Sequence, residues 1–208
     1  MAKASTAAKP KASASAKKRD QACQTLIQQA RAIIDAEGSG EATLHKLKTM
    51  LVDLAGQGHT LFPMADFAMP DAQGRNHVLA IEDGDGMGLY LTIGLPGKEA
   101  APHDHGIWCV NAAISGRELH KFYRRTDDAS RPGRAMVEEI GQSLVAPGLG
   151  MVMTDHAIHD TVVLGDEPAI GLALYGYALV RFPSVVWFHP AFSSTRASPS
   201  RRSAETAS

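Results

Sequence analysis

Two histidines two residues apart are the part of this chain whose residue types and spacing point most directly to chemistry. His103 and His105 lie in the segment PHDHGIWC, residues 102–109. In an extended strand, residues i and i+2 face the same side, so both imidazoles can reach one ion. Neutral imidazole is a ligand for iron, zinc, copper and nickel. The pair alone is a weak signal, because histidines at this spacing also occur as incidental surface residues.

The residues around the pair strengthen the interpretation. Gly97 lies six residues before His103, Cys109 lies four after His105, and Gly116 lies seven after Cys109. These spacings resemble the first cupin motif, G-x5-H-x-H-x3-E-x6-G. Cys109 stands where many cupins have a metal-binding glutamate, which favours a site made of three histidines. The motif indicates a fold more than a function, since one fold hosts many chemistries.

A third histidine must come from a later strand, and the segment DHAIH offers two. His159 follows an apolar residue and opens the β-rich run DTVVL, which favours it as the ligand. His156 is the alternative, although we expect it to lie in the preceding turn. The remaining histidines are isolated and are predicted to be solvated or hydrogen-bonded rather than ligating: His45, His59, His77, His120 and His189.

Hydrophobic periodicity predicts the elements that would position these side chains. Apolar residues recur at helical spacing over residues 20–37 and 41–55, and a glycine follows each segment. After about residue 74, short β-rich runs alternate with turn residues, which is typical of a barrel or double-sheet jelly roll. The predicted strands are 75–82, 87–94, 107–115, 117–125, 135–140, 143–146, 150–154, 159–164 and 169–180.

Composition predicts one folded domain with tails. The chain has 208 residues, and 44% of them are apolar. Residues 1–19 and 193–208 contain few large apolar side chains and are predicted to be disordered tails around a domain at 20–192. The net charge of −1 points to neither nucleic acid nor a membrane surface. Two cysteines and no membrane-spanning apolar run lead us to expect a cytoplasmic protein, monomeric or homodimeric.

A family resemblance extends over residues 75–182, about half the chain. The stretch PHDHGIWCVNAAISGRELHKFYRR, the later His159 and the segment LALYG at 172–176 resemble bacterial thiol dioxygenases of the cysteine and 3-mercaptopropionate dioxygenase group. The resemblance implies a cupin double-stranded β-helix preceded by two α-helices. It also implies Fe(II) held by His103, His105 and His159, and oxidation of a small thiol by O2 to a sulfinate.

The same resemblance gives roles to two further residues. Cys109 matches the cysteine that some members crosslink to an active-site tyrosine, and Tyr175 matches that tyrosine. A Cys109–Tyr175 thioether and a buried free cysteine beside a buried tyrosine are both open. The chain departs from the family pattern Ser-x-His-x-Tyr, because Gly171 and Ala173 replace the serine and the histidine.

Recognition of a carboxylated thiol would need an arginine, the natural partner of a carboxylate. Arg75 resembles the arginine position of cysteine dioxygenases after a two-residue insertion, and Arg181 lies near the position used by mercaptopropionate-type enzymes. Two other functions stay open: a metal-dependent cupin enzyme acting on a substrate without a thiol, and an inactive cupin that binds a small molecule.

Overall fold

The computed structural model describes residues 14–70, 75–84, 86–97, 99–130, 135–179, 186–187 and 196–197. Two helices come first, α1 at Ala14–Glu37 and α2 at Glu41–Ala55. A short helix α3 at Gly58–Leu61 and a 3-10 turn at Met64–Asp66 lead into the strands. The strands are β1 Arg75–Ile81, β2 Gly88–Gly94, β3 His103–Asp104, β4 Cys109–Ser115, β5 Glu118–Arg125, β6 Val137–Val145, β7 Gly150–Met153, β8 Ile158–Val163, β9 Ala169–Tyr175, β10 Val186–Trp187 and β11 Arg196–Ala197.

The strands form two antiparallel sheets. The first has the order β1-β2-β9-β4-β7, and the second has the order β11-β10-β3-β8-β5-β6. Strands close in sequence repeatedly fall in different sheets, so the chain winds back and forth between them. This is the double-stranded β-helix of the cupin type, and the predicted fold with its two preceding helices is confirmed.

Alternation along the strands separates two apolar cores. Leu89 and Leu91 of β2 belong to the same core as Leu51 of α2, which is fully buried. Tyr90 lies between them in sequence and belongs to the other core, as does Tyr175 of β9. Because successive side chains of a strand face opposite sides, one sheet can carry the helices on one face and line the barrel with the other.

Helix α1 begins earlier than predicted, at Ala14 rather than at residue 20. The Arg19 guanidinium donates a hydrogen bond to Asp66 Oδ2 at 2.6 Å and lies 4.9 Å from the Phe67 ring centroid. Alanine and lysine are good helix formers, so the segment ASAKKR continues the helix once Arg19 is held. The rest of the predicted N-terminal tail, 1–13, lies outside the described residues.

The strand boundaries also differ from the prediction. Strand β6 is one strand across Gly141, where two strands were predicted, because it follows β5 over its whole length with one register shift opposite Phe122. Strand β11 lies inside the segment predicted to be a C-terminal tail and pairs with β10. Backbone pairing needs no apolar side chains, so composition misses a strand this short. The remainder of that tail, 193–195 and 198–208, lies outside the described residues.

Helix α1 is joined to the β1–β2 connection by an ion pair. Arg31 donates from Nε to Glu82 Oε1 at 2.8 Å and from Nη2 to Glu82 Oε2 at 2.6 Å. Glu82 also accepts the Met87 backbone N–H, which closes the turn before β2. Among the described residues, the helices are too short or too polar to span a membrane.

Candidate metal centre

Two neighbouring strands of the second sheet bring three histidines together. His103 in β3 pairs directly with His159 in β8, and His105 follows β3 by one residue. One ring nitrogen from each side chain lies within 4.8 Å of the other two. His103 is 8% exposed and His159 is 3% exposed. The structure therefore gathers the histidines that the sequence predicted to be ligands.

The nitrogen spacing fits a single ion. His103 Nε2 lies 3.0 Å from His105 Nε2, and His159 Nε2 lies 3.3 Å from the same atom. Metal–imidazole bonds of about 2.0–2.1 Å place neighbouring ligand nitrogens roughly 2.9–3.4 Å apart in octahedral or tetrahedral geometry. Three imidazoles form a donor set that suits a transition metal rather than calcium or magnesium.

The outer ring nitrogens of His103 and His159 have partners that leave Nε2 for a metal. His103 Nδ1 lies 2.9 Å from the Ala101 carbonyl oxygen, which can only accept, so Nδ1 carries the proton. Burial holds the pKa of His159 well below its usual value of 6.5, and the neighbouring His103, His105 and His120 lower it further. A neutral imidazole is the form that binds metals.

His120 lies against the histidine cluster, although the sequence analysis did not place it at the site. Its side chain is 2% exposed, and its Nδ1 lies 3.2 Å from His159 Nδ1. The two rings are parallel within 5°, with centroids 5.4 Å apart. The alternation of side chains along β5 could have found it, because Glu118, His120 and Phe122 face the same side of the strand.

His156 lies outside the cluster. Its side chain is 92% exposed, and its Nε2 lies 3.6 Å from Asp155 Oδ2. Of the two candidates in DHAIH, the structure therefore brings His159 to the other histidines, as the sequence favoured.

Cys109 and Tyr175 lie side by side next to the cluster. They are directly opposed in the pairing of β4 with β9, and the Tyr175 hydroxyl hydrogen-bonds the Cys109 sulfur. The Tyr175 ring centroid lies 5.4 Å from that of His105. The Cys109 thiol donates to Asn111 Oδ1 at 2.9 Å, and burial raises the pKa of that thiol well above its ordinary value.

Gly171, at the position where the thiol dioxygenases that the chain resembles have a serine, has no room for a side chain. A Cβ on Gly171 would lie 3.0 Å from the Ala112 carbonyl oxygen and 3.2 Å from Thr92 Oγ1. Both distances are tight, so a side chain at residue 171 would require its neighbours to shift. The glycine therefore allows β9 to lie close to β2 and β4.

Ala173, at the position where those thiol dioxygenases have a histidine, lies beside a second tyrosine, Tyr90. Ala173 is opposite Tyr90 in the pairing of β2 with β9, and the Tyr90 ring lies edge-on to Tyr175 with centroids 5.8 Å apart. The Tyr90 hydroxyl accepts the Leu179 backbone N–H at 2.6 Å. Tyr90, which the sequence analysis did not single out, thus supports the wall next to Tyr175.

The two arginines predicted to bind substrate stay predictions. Arg75 is the first residue of β1 and pairs with Ile93, but its side chain is not described. Arg181 lies outside the described residues.

Comparisons with known proteins found similar solved structures only. No protein-family model and no curated protein matches the chain. A Thermus thermophilus protein, TT1209, has 20% identity and a TM-score of 0.40, with 55% of this chain and 94% of that chain covered. The DMSP lyase DddQ from Ruegeria pomeroyi has 17% identity and a TM-score of 0.39, covering 58% and 54%. An oxalate oxidase in complex with glycolate has 16% identity and a TM-score of 0.37, covering 49% and 46%. These similarities assign no activity to this chain.

Proposed function

We propose that this protein is a non-haem iron dioxygenase that oxidises a small carboxylated thiol to its sulfinate. The observation that carries the proposal is the convergence of His103, His105 and His159 beside the Cys109–Tyr175 pair. Bound there, Fe(II) would supply a Lewis acid for a thiolate and a redox centre for dioxygen. The reaction balances as RSH plus O2 giving RSO2H, with both oxygen atoms on sulfur and four electrons lost by the sulfur.

The charge of the donor set supports a thiol as substrate. Three neutral imidazoles bring no negative charge, so a divalent cation there would keep its full charge in a largely buried site. An anion is the favoured partner for such a charge, and a metal-bound thiol is readily deprotonated. A small thiolate supplies that anion through its sulfur.

The barrel lining around the cluster supports exclusion of water. Ile107, Met153 and Tyr90 are each less than 5% exposed and belong to one apolar core with Cys109 and Tyr175. Apolar walls strengthen the few polar contacts inside a site and limit side reactions with water. Such a wall suits a short carbon chain.

Tyr175 is the residue proposed to act on the reacting groups. Its hydroxyl touches the Cys109 sulfur, and its ring lies beside that of His105. From this place, the O–H can donate a hydrogen bond to an oxygen or sulfur atom held next to the histidines. Arg75 or Arg181 is proposed to bind the substrate carboxylate.

Anaerobic loading with Fe(II), followed by oxygen uptake with matched substrates, tests the proposal. The panel pairs cysteine, 3-mercaptopropionate and mercaptosuccinate with alanine, propionate and succinate, which lack the sulfur. We expect uptake with one or more thiols only, and a product heavier by two oxygen atoms. Separate loading with zinc and nickel is the metal control.

Two outcomes would contradict this function. Uptake or turnover with a substrate that lacks a thiol would indicate a metal-dependent cupin enzyme of another class. Failure of the protein to retain any of the three metals would indicate a cupin without a catalytic metal centre.

A further inference from the structure

We propose that His120, backed by Glu118, is a positioning residue that holds His159 in the ring orientation and tautomer needed to bind metal through Nε2. The inference rests on the metal centre of the proposed function. It extends that centre along β5 and β8 to a row of three side chains, Glu118–His120–His159, of which the two histidines are buried and Glu118 is partly exposed.

Proton positions along this row follow from its geometry. If His159 Nε2 binds the metal, His159 Nδ1 must carry the proton. The nearest acceptor is His120 Nδ1, at 3.2 Å. His120 Nδ1 is then unprotonated, and its proton lies on Nε2. Ligating histidines commonly donate their second N–H in this way to an outer partner that fixes the ring.

The far side of His120 agrees with this assignment. His120 Nε2 faces Glu118 Oε2 at 3.6 Å, so a proton on that nitrogen points toward a carboxylate. Thr161 Oγ1 lies 3.2 Å from His120 Nδ1, and its hydroxyl can donate to the same lone pair. Glu118 therefore favours the tautomer that makes His120 an acceptor toward His159, and Thr161, whose hydroxyl can donate or accept, is compatible with it.

Burial argues against a purely packing role. His120 is 2% exposed, and its Nε2 has no hydrogen-bond partner within normal distance among the described residues. Burying an incompletely bonded polar group opposes folding, whereas a leucine of similar size would not. A side chain that only filled space would be served better by leucine.

Two substitutions separate positioning from packing. His120→Leu keeps volume but removes the acceptor. His120→Asn is smaller but places its Oδ1 near the position of Nδ1. Metal affinity is measured by chelator competition with Co(II), whose visible absorption also reports the ligand geometry. The control is His45→Leu, a half-exposed histidine of α2.

We expect His120→Leu to weaken Co(II) binding by about 10–100-fold, the range typical of a lost outer partner, and to alter the cobalt spectrum. His120→Asn should bind Co(II) more tightly than His120→Leu although it is less stable. Glu118→Leu should weaken binding less than His120→Leu, because 3.6 Å is longer than a direct hydrogen bond. His45→Leu should match the wild type.

Each contrary result has a separate meaning. Wild-type affinity in His120→Leu, or tighter binding by His120→Leu than by His120→Asn, overturns the positioning role and leaves the metal centre intact. Wild-type affinity in Glu118→Leu would show that Glu118 does not back His120. Failure of the wild type to bind Co(II) overturns the metal centre, and this inference with it.

Discussion

At the scale of single residues, the candidate centre depends on which ring nitrogen of each histidine faces the position of the ion. The Ala101 carbonyl oxygen fixes the His103 ring, and His120 lies against the outer nitrogen of His159. These partners are set before any ion arrives, so little reordering would accompany binding. Residue-scale predictions therefore concern ligands and buried thiols.

Replacing one ligand should remove metal retention. We expect His159→Ala to weaken Fe(II) or Co(II) binding by more than about 100-fold, beyond the 10–100-fold loss typical of an outer partner. The matched control is His156→Ala, three residues earlier and exposed. Metal content after gel filtration measures both. Retention by His159→Ala together with loss by His156→Ala would make His156 the third ligand.

Both cysteines should be inert in the folded protein. Burial raises the pKa of the Cys23 thiol to about 12 and raises that of Cys109 as well, so neither forms appreciable thiolate at pH 8. Titration with a chromogenic disulfide should be slow in the native state and rapid after unfolding. Two thiols per unfolded chain indicate a free Cys109, and one indicates a Cys109–Tyr175 thioether. Rapid reaction of the native protein would contradict the burial.

At the scale of elements, the turns that flank the metal motif hold its strands in place. Gly97 and Gly116 both have positive φ, of 67° and 72°. A Cβ at Gly97 would meet nothing within 4 Å, whereas one at Gly116 would lie 2.5 Å from the Pro168 carbonyl oxygen. The first glycine is needed for conformation alone, and the second for conformation and close approach.

This difference predicts unequal costs for two similar substitutions. Gly97→Ala should destabilise the fold by about 1–2 kcal/mol, the cost of a left-handed conformation. Gly116→Ala should cost about 1–3 kcal/mol more, because the methyl group overpacks against backbone. Urea unfolding of both variants measures the difference. Equal losses would show that β9 can move away from β4 without cost.

The ion pair between α1 and the β1–β2 turn predicts a pH dependence. Hydrogen bonds from Arg31 hold the pKa of Glu82 below its usual 4.5. A lowered folded pKa gives stability that is complete above the unfolded value and is lost as pH falls through the folded one.

We therefore expect Glu82→Gln to destabilise the protein by about 1 kcal/mol at pH 7, the upper end for partly exposed pairs, and by less at pH 3. Glu37→Gln, which breaks the more exposed pair with Lys46, is the control and should change stability little. Urea unfolding at both pH values measures the effect. An equal loss for Glu82→Gln at both pH values would contradict the charge-based explanation.

At the scale of the whole molecule, the helices and the candidate site pack in two different apolar cores. The helix-facing core contains the fully buried leucines of α2, while the barrel core contains Tyr90, Cys109 and Tyr175. The first sheet lies between them and serves both.

This division predicts that helix packing can be weakened without loss of the site. Leu51→Ala should cost about 2–5 kcal/mol of unfolding free energy, as for other fully buried leucines. Its metal affinity should equal that of the wild type below the unfolding temperature. Leu149→Ala, at a half-exposed leucine, is the control for both measurements. A parallel loss of affinity in Leu51→Ala would show that the helices hold the metal centre in shape.

The sequence determined what depends on local pattern. Apolar residues at helical spacing gave α2 at residues 41–55, and the alternating runs after residue 74 gave most strands within a few residues. The two-residue spacing of His103 and His105 indicated the first two candidate ligands. These features depend on neighbours a few positions away, which a sequence displays directly.

Tertiary structure decided what depends on strand pairing. His105 and His159 are 54 residues apart in the chain. The pairing of β3 with β8 places His159, rather than His156, next to His103 and His105. The pairing of β5 with β8 places His120 behind His159, whereas the local pattern shows only which side of β5 His120 faces and not what lies there. Register between distant strands is set by the packing of both cores together, so no short segment encodes it.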